Sequence, residues 1–335
     1  MQELLSQEAV RAVSDAASQA KTPQVVRSHR AMDTAFTVTI QSDDAALATS
    51  AAEAAFARID AIEGLLSRFN DTSDVALIAA LRPGEVGVVA LETMRALTAS
   101  ARVCEATGGA FDPTVGPVMR RLKKTGMAWD AIPPDVLEDA FARGGMQRLV
   151  LDVEHLRVSV KPDRLGRDTP LELDFGGIGK GVALDECAKV FEGEQFEMTD
   201  YLLDAGSSTQ LMRGGPWRIG VGGEWKGRTR QQTVLELRGG AVSGSGFDLQ
   251  GAHVVDVRRK TAARRWAHAW SRAESATVAD ALSTAALSMD AAELERACAR
   301  LGARVLVAQN QKKALDLLRD PLKWIGSPIG IDKTA

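Results

Sequence analysis

The chain has 335 residues, 45% of them apolar and 25% charged, with a formal net charge of -3. That is the make-up of an ordinary globular protein with a large core, in one large domain or two packed lobes. It argues against a basic nucleic-acid binder, and no apolar run reaches the length of a membrane-spanning helix. The three cysteines, Cys104, Cys187 and Cys298, are scattered and odd in number, so they predict buried free thiols and neither a disulfide framework nor a metal cluster.

Met1 to Lys21 is polar with helical periodicity (Leu4, Leu5, Val10, Val13, Ala17) and has neither the basic start and apolar core of a secretory signal nor a lipid-anchoring cysteine. It predicts an N-terminal helical extension over residues 1–30 and a cytoplasmic protein, or a periplasmic one if an export signal has been removed. Pro23 opens an extended stretch, and Ala35 to Ile40 alternates as a strand does. Ala45 to Arg68, with Ala55, Ile59, Ile62, Leu65 and Leu66 at helical spacing, predicts a long amphipathic helix. A second helix runs from Leu91 to Thr107 and stops at Gly108-Gly109.

Asp135 to Arg143 is a short predicted helix, and Gln147 to Val160 a hairpin turning near Val153 to His155. Leu171 to Asp174 is expected as a strand end, Gly176 to Gly181 as a turn, and Val182 to Phe191 as a helix. Tyr201–Asp204, Trp217–Val221, Gln232–Leu237 and His253–Val257 read as strands. Asp280–Met289 and Ala291–Leu301 read as helices, and Arg304–Ala308 as a late strand. Long helices followed by short hairpin-like strands make an α+β fold, with mixed or antiparallel sheets packed against helices.

Four segments carry possible chemistry. Asp174-Phe-Gly-Gly-Ile-Gly-Lys180-Gly181 places four glycines and a lysine where a helix begins, which suits either a phosphate or a tight turn. It has neither P-loop nor dinucleotide-fingerprint spacing. Asp280 and Thr284, four apart, share a helix face and offer hard oxygen ligands for Mg²⁺. The alternative is a helix N-cap at Thr277 with Asp280 as its capping-box partner. Thr107 to Pro117, with three glycines and two prolines, predicts a rigid loop. In it Phe111 can face a planar ring and Asp112 can accept hydrogen bonds, unless the loop merely links two elements. Ser243-Gly-Ser245-Gly, followed by His253-Val-Val-Asp256, can line a phosphate, though His253 and Asp256 would face opposite sides of a strand.

Taken together and in order, these segments resemble the ApbE-type FAD:protein FMN transferase (flavin transferase) family. The match uses Met32-Asp33-Thr34, Leu66-Ser67-Arg68-Phe69-Asn70 with Ser73, and the Gly109 to Pro117 loop. It continues through Asp174 to Gly181 with Asp185, Ser245-Gly246, His253 to Asp256, and Ala279-Asp280-Ala-Leu-Ser-Thr284-Ala, spanning about Ala31 to Met289. The resemblance implies a T-fold-related flavin transferase domain over residues 31–335, in one or two lobes.

It also implies FAD as substrate, against Met32, Ala110, Phe111, Asp112, Asp174, Lys180 and Val255. Mg²⁺ would be held by the Gly177 carbonyl with Asp280 and Thr284. The implied reaction is transfer of FMN to a Thr or Ser hydroxyl of an acceptor protein, in a segment of the Ser/Thr-Gly-Ala-Ser/Thr type, releasing AMP. His253 would assist proton transfer, and Asp280 would be catalytic through the metal. An Mg²⁺-dependent FAD pyrophosphatase and a non-catalytic FAD-binding protein are the alternatives. Departures from the family pattern are Asp33 for a glycine, Ala79 for an asparagine and Gly244 for a threonine. In addition, Val257 to Ala262 replaces a Pro-x-Thr-Gly turn, leaving Arg258, Arg259, Arg264 and Arg265 as a basic stretch for phosphate, an acidic partner or solvent.

Overall fold

The computed structural model describes residues 23–206, 208–222, 232–246, 254–309 and 323–327. Its first hairpin, β1 (Gln24–Ala31) and β2 (Thr34–Gln41), turns through Met32 and Asp33, both with positive φ (49° and 58°). A two-residue turn with both centres left-handed matches strand twist, and Asp is among the side chains that tolerate it, which explains how Asp33 serves in place of a glycine. Because β1 pairs with β2 along its whole length, the domain begins at or before Gln24. The boundary expected at residue 31 is corrected accordingly, and the helix expected over residues 1–21 lies outside the described residues.

Helix α1 (Ala45–Leu66) is capped by Asp44, whose side chain accepts from the Leu47 amide, and buries its small-residue stripe Ala48, Ala51, Ala52 and Ala55. Then come α2 (Asp74–Ala80), capped by Ser73, β3 (Val86–Val88) and α3 (Leu91–Ala106). The loop expected up to Pro117 is shorter than that: Pro113–Val115 is a 3₁₀ turn, and α4 (Gly116–Lys124) already contains Gly116 and Pro117. Proline at the start of a helix loses no internal hydrogen bond, so it opens this one. Helix α5 (Pro134–Ala142) and the hairpin β4 (Leu149–Asp152) with β5 (Arg157–Val160) follow. Leu171 to Asp174 joins no sheet. It runs beside the 113–116 segment, tied by the Asp174 amide to the Pro113 carbonyl at 2.7 Å.

Helix α6 (Gly179–Glu192) leads into β6 (Tyr201–Asp204), β7 (Thr209–Arg213), β8 (Trp217–Gly222), β9 (Gln232–Leu237) and β10 (Gly240–Gly246). A small hairpin, β11 (Val255–Asp256) and β12 (Thr261–Ala262), precedes β13 (His268–Ala273). Helix α7 (Ala276–Ala286), helix α8 (Ala291–Leu301) and β14 (Arg304–Ala308) complete the order.

Seven strands form one sheet in the order β1-β2-β6-β7-β10-β13-β14, every neighbouring pair antiparallel. Alternation along each strand sends Leu203, Leu211, Ala241, Ala269 and Val305 to the main core under the helices. Their neighbours Leu202, Met212, Val242, Trp270 and Leu306 go to a second core shared with Trp217, Ile219 and Leu235 of the β8–β9 ribbon. Helices α1, α6 and α7 lie side by side over the first face. The fold is thus α+β, and no helix among the described residues is long and apolar enough to cross a membrane. The cysteines are free, with Cys187 and Cys298 buried and Cys104 half-buried. Burial pushes the Cys104 and Cys298 thiols up to about 12.

Candidate active site

Helices α6 and α7 meet at Gly181. A Cβ there would lie 2.3 Å from the Ala276 carbonyl oxygen, so only glycine lets the two backbones come this close. The contact delivers the Gly181 amide to Asp280 Oδ2 at 3.0 Å. One turn further along α6, Asp185 caps α7: its carboxylate accepts from the Ala276 amide (2.8 Å), the Thr277 amide (2.9 Å) and the Ser275 hydroxyl (2.6 Å). The N-cap of α7 is Ser275, which receives the Val278 amide. The capping-box alternative for Asp280 is therefore set aside, because the carboxylate lies inside the helix and points at α6 and the sheet.

Asp280 is 3% exposed. Its Oδ1 accepts from Thr209 of β7 at 3.2 Å and Ser243 of β10 at 3.4 Å. Among the described residues no cationic side chain pairs with it. One turn on, the Thr284 hydroxyl lies 3.4 Å from Ser245 and 3.3 Å from the Asp280 carbonyl. Gly177 faces Thr284 directly, since a Cβ on it would stand 3.1 Å from Thr284 Oγ1. Gly177 thus stands against Thr284, one turn along α7 from Asp280, whose carboxylate meets Gly181. This donor set of carboxylate, hydroxyl and adjacent backbone is all oxygen, which fits a hard divalent cation with coordination positions left over.

Lys180 is half-buried in the first turn of α6, and no partner for it is seen among the described residues. Asp174 is anchored differently: Arg68 pairs with it at 2.9 Å, and its Oδ1 receives the Gly176 amide at 2.9 Å. Beside this pair opens a cavity of about 490 Å³ whose walls include Phe69, Ala79 and Leu173, with Arg120, Lys123 and Lys124 at its edge. Phe69 is 77% exposed and lies under the Arg68 guanidinium, 4.8 Å from ring centre. Ala79, where the family pattern has an asparagine, leaves an apolar wall in this cavity.

In the 107–117 segment, Ala110 and Phe111 are core residues, each 5% exposed. Asp112 turns inward to accept from the Thr114 amide (2.8 Å) and hydroxyl (2.6 Å) and from the Met146 amide (3.3 Å). Burial pushes its carboxyl above the usual range, opposed by the bonds from Thr114. Met32 is half-buried at the β1–β2 turn, its amide held by Glu63 at 3.0 Å. Val255 packs in a small core with Val118, Leu122 and Phe141. His253 lies outside the described residues, and the strand expected over His253–Val257 is described only as Val255–Asp256.

The basic stretch divides. The Asp256 carboxylate accepts from the Arg258 and Arg259 amides, both at 3.1 Å, and from Arg259 Nη1 at 2.7 Å. Both arginines reach the Ser288 carbonyl beyond the end of α7, and Arg258 also pairs with Glu293. A carboxylate-centred turn therefore stands where the family pattern has Pro-x-Thr-Gly, while Arg264 and Arg265 are exposed to solvent. Gly244 also has a local cause: a Cβ there would meet the Trp270 indole nitrogen of the neighbouring strand at 2.8 Å. Thr209 was not singled out by sequence, and Ser243 and Ser283 were read only within longer motifs, not as neighbours of Asp280. The available signal was alternation, which puts Ser243 and Ser245 on the helix-facing side of β10.

Residues 32–307 match the ApbE family. Relatives named FAD:protein FMN transferase include that of Klebsiella pneumoniae, 29% identical over 68% of this chain and 67% of its own length. That of Escherichia coli K12 is 28% identical over the same shares. Among solved structures, the ApbE protein of Thermotoga maritima superposes with a TM-score of 0.69 at 26% identity, covering 85% of this chain and 94% of that one. The flavin transferase ApbE of Vibrio cholerae superposes with a TM-score of 0.71 at 21% identity, covering 85% and 93%, a likeness of fold. With the match running from the β1–β2 turn through the last strand of the main sheet, the chain belongs to the ApbE family.

Proposed function

We propose that this chain is an FAD:protein FMN transferase, moving the FMN half of FAD onto a Thr or Ser hydroxyl of an acceptor protein. The hydroxyl oxygen bonds to the FMN phosphorus, the bond from that phosphorus to the bridging oxygen breaks, and AMP leaves with that oxygen. The observation that carries the assignment is the buried Asp280 carboxylate, hydrogen-bonded to Gly181, Thr209 and Ser243 but with no cationic partner among the described residues. A buried charge is costly unless something of opposite sign meets it. On this reading Gly177, which faces Thr284, and Thr284 itself would provide the remaining oxygens.

Mg²⁺ held there by the Gly177 carbonyl, Asp280 and Thr284 would supply neutralisation of the diphosphate oxygens as the bond breaks. Lys180, at the start of α6, adds a second positive charge next to a helix N-terminus, where phosphate groups are favoured. We assign the adenosine end of FAD to the cavity beside Arg68 and Asp174, with Phe69 and Ala79 as its apolar walls. Met32, Ala110, Phe111, Asp112 and Val255 then frame the flavin end, Phe111 and Val255 from within the core. His253 is the residue we assign to accept the hydroxyl proton.

The test incubates the protein with FAD, MgCl₂ and an acceptor carrying a Ser/Thr-Gly-Ala-Ser/Thr segment, then measures in-gel flavin fluorescence and AMP. A fluorescent acceptor band with matching AMP is expected. AMP without a labelled acceptor would mean that water is the acceptor, and the absence of both products would overturn the proposal.

A further inference from the structure

Asp280 and Thr284 are joined by a second route besides the helix backbone. Thr209 Oγ1 lies 2.9 Å from Ser243 Oγ, which lies 3.3 Å from Ser283 Oγ. Ser283 in turn lies 2.8 Å from Ser245 Oγ, and Ser245 lies 3.4 Å from Thr284 Oγ1. One end of this run of hydroxyls meets Asp280 Oδ1 through Thr209, at 3.2 Å. The other end is Thr284 itself. Thr209, Ser243 and Ser283 are buried, and the run crosses three elements: β7, β10 and α7.

We infer that this hydroxyl chain is the positioning shell of the cation site, fixing the directions in which Asp280 and Thr284 present their oxygens. The inference rests on the Mg²⁺ assignment above. An ionised carboxylate can only accept, so Thr209 gives its single proton to Asp280. Ser243 can give its one proton to Thr209 (2.9 Å) or to Asp280 Oδ1 itself (3.4 Å), and Ser283 can give its proton to the Asp280 carbonyl (2.9 Å) or to Ser243 (3.3 Å), while Ser245 reaches Ser283. At the far end Thr284 turns its proton to Ser245 or to the Asp280 carbonyl, 3.3 Å away. Either choice leaves lone pairs on the Thr284 oxygen available to a cation. Meanwhile Oδ1 is held by Thr209 and Oδ2 by Gly181, so the carboxylate cannot rotate freely about its own axis. Partners of this kind, one bond removed from a metal, set ligand direction, and their loss typically costs about 10–100-fold in affinity.

The experiment titrates the full-length protein with Mn²⁺ alone and follows free Mn²⁺ by electron paramagnetic resonance, with no FAD present. Wild type is expected to take up Mn²⁺, and Asp280→Ala to lose that uptake. Thr209→Val keeps the shape of the side chain but not its donor, and Ser243→Ala breaks the run in the middle. Each should weaken Mn²⁺ by about tenfold or more. Thr209→Ser, which restores the donor, should bind within about twofold of wild type. Melting curves check that each variant folds, and Ser283→Ala replaces Ser243→Ala if the latter does not. Wild-type affinity in folded Thr209→Val and in the folded variant that breaks the run would overturn the positioning role while leaving the cation site standing. Failure of the wild type to bind Mn²⁺ would overturn both.

Discussion

A carboxylate inside a helix, 3% exposed and met among the described residues only by neutral donors, is costly to bury. Asp280→Ala is therefore expected to reduce AMP release from FAD by a hundredfold or more, with an unchanged or raised melting temperature, checked by chromatography of AMP and by circular dichroism. The spacing of Asp280 and Thr284 was legible in the sequence because a helix repeats on itself. Thr209 and Ser243 were not, because they reach Asp280 only through the order of strands in the sheet. Phe111 gives a different lesson. Its loop suggested a ring-facing aromatic, yet it is 5% exposed in the main core. Phe111→Ala should cost about 3–5 kcal/mol of stability, read by urea denaturation. A loss of FAD affinity in that variant would follow from the loosened loop as readily as from a lost ring contact.

At the scale of elements, glycines and caps arrange the site. Asp185 holds three donors at the start of α7 from a position on α6, so it joins the helix carrying Lys180 to the helix carrying Asp280. Asp185→Ala is expected to destabilise the fold by about 2 kcal/mol and to raise the Mg²⁺ requirement, measured as the half-saturating Mg²⁺ concentration for AMP release. An unchanged half-saturation with lowered stability would reduce Asp185 to a cap alone. The long periodic helices and the β4–β5 hairpin were readable from spacing. Strand β13 was missed because all six of its residues, His268 to Ala273, are buried, so polar and apolar positions do not alternate. Helix α4 was missed because Gly116-Pro117 reads as punctuation, although proline is well suited to a helix start.

Across the whole molecule, one sheet is covered on both faces, and a polar row crosses its ribbon-facing side. Thr37 stands opposite Asp204, and Asp204 opposite Gln210. Gln210 donates to Asp204 Oδ2 at 2.9 Å, while Oδ1 is buried without a hydrogen-bond partner among the described residues. Burial pushes this carboxyl up to about 7, against its ordinary 3.8. Between those two values the folded chain keeps a proton that the unfolded chain has released, so Asp204 makes stability fall as pH rises through the window and level off above it. Asp204→Asn should remove that slope, seen in melting temperatures taken from pH 4 to pH 8; an unchanged slope would place its origin elsewhere. Fold class was legible from segment pattern alone, but a buried carboxyl on the far face of a sheet needs the strand order to be known.

The bond from Gly181 to Asp280 spans 99 positions of chain. During synthesis the glycine-rich turn leaves the ribosome long before the carboxylate that completes it. A nascent polypeptide lacking α7 has Lys180 but neither Asp280 nor Thr284, so on the proposed mechanism it holds no competent centre. Activity then switches on only after α7 has emerged, and shorter products lacking that helix stay chemically silent toward FAD.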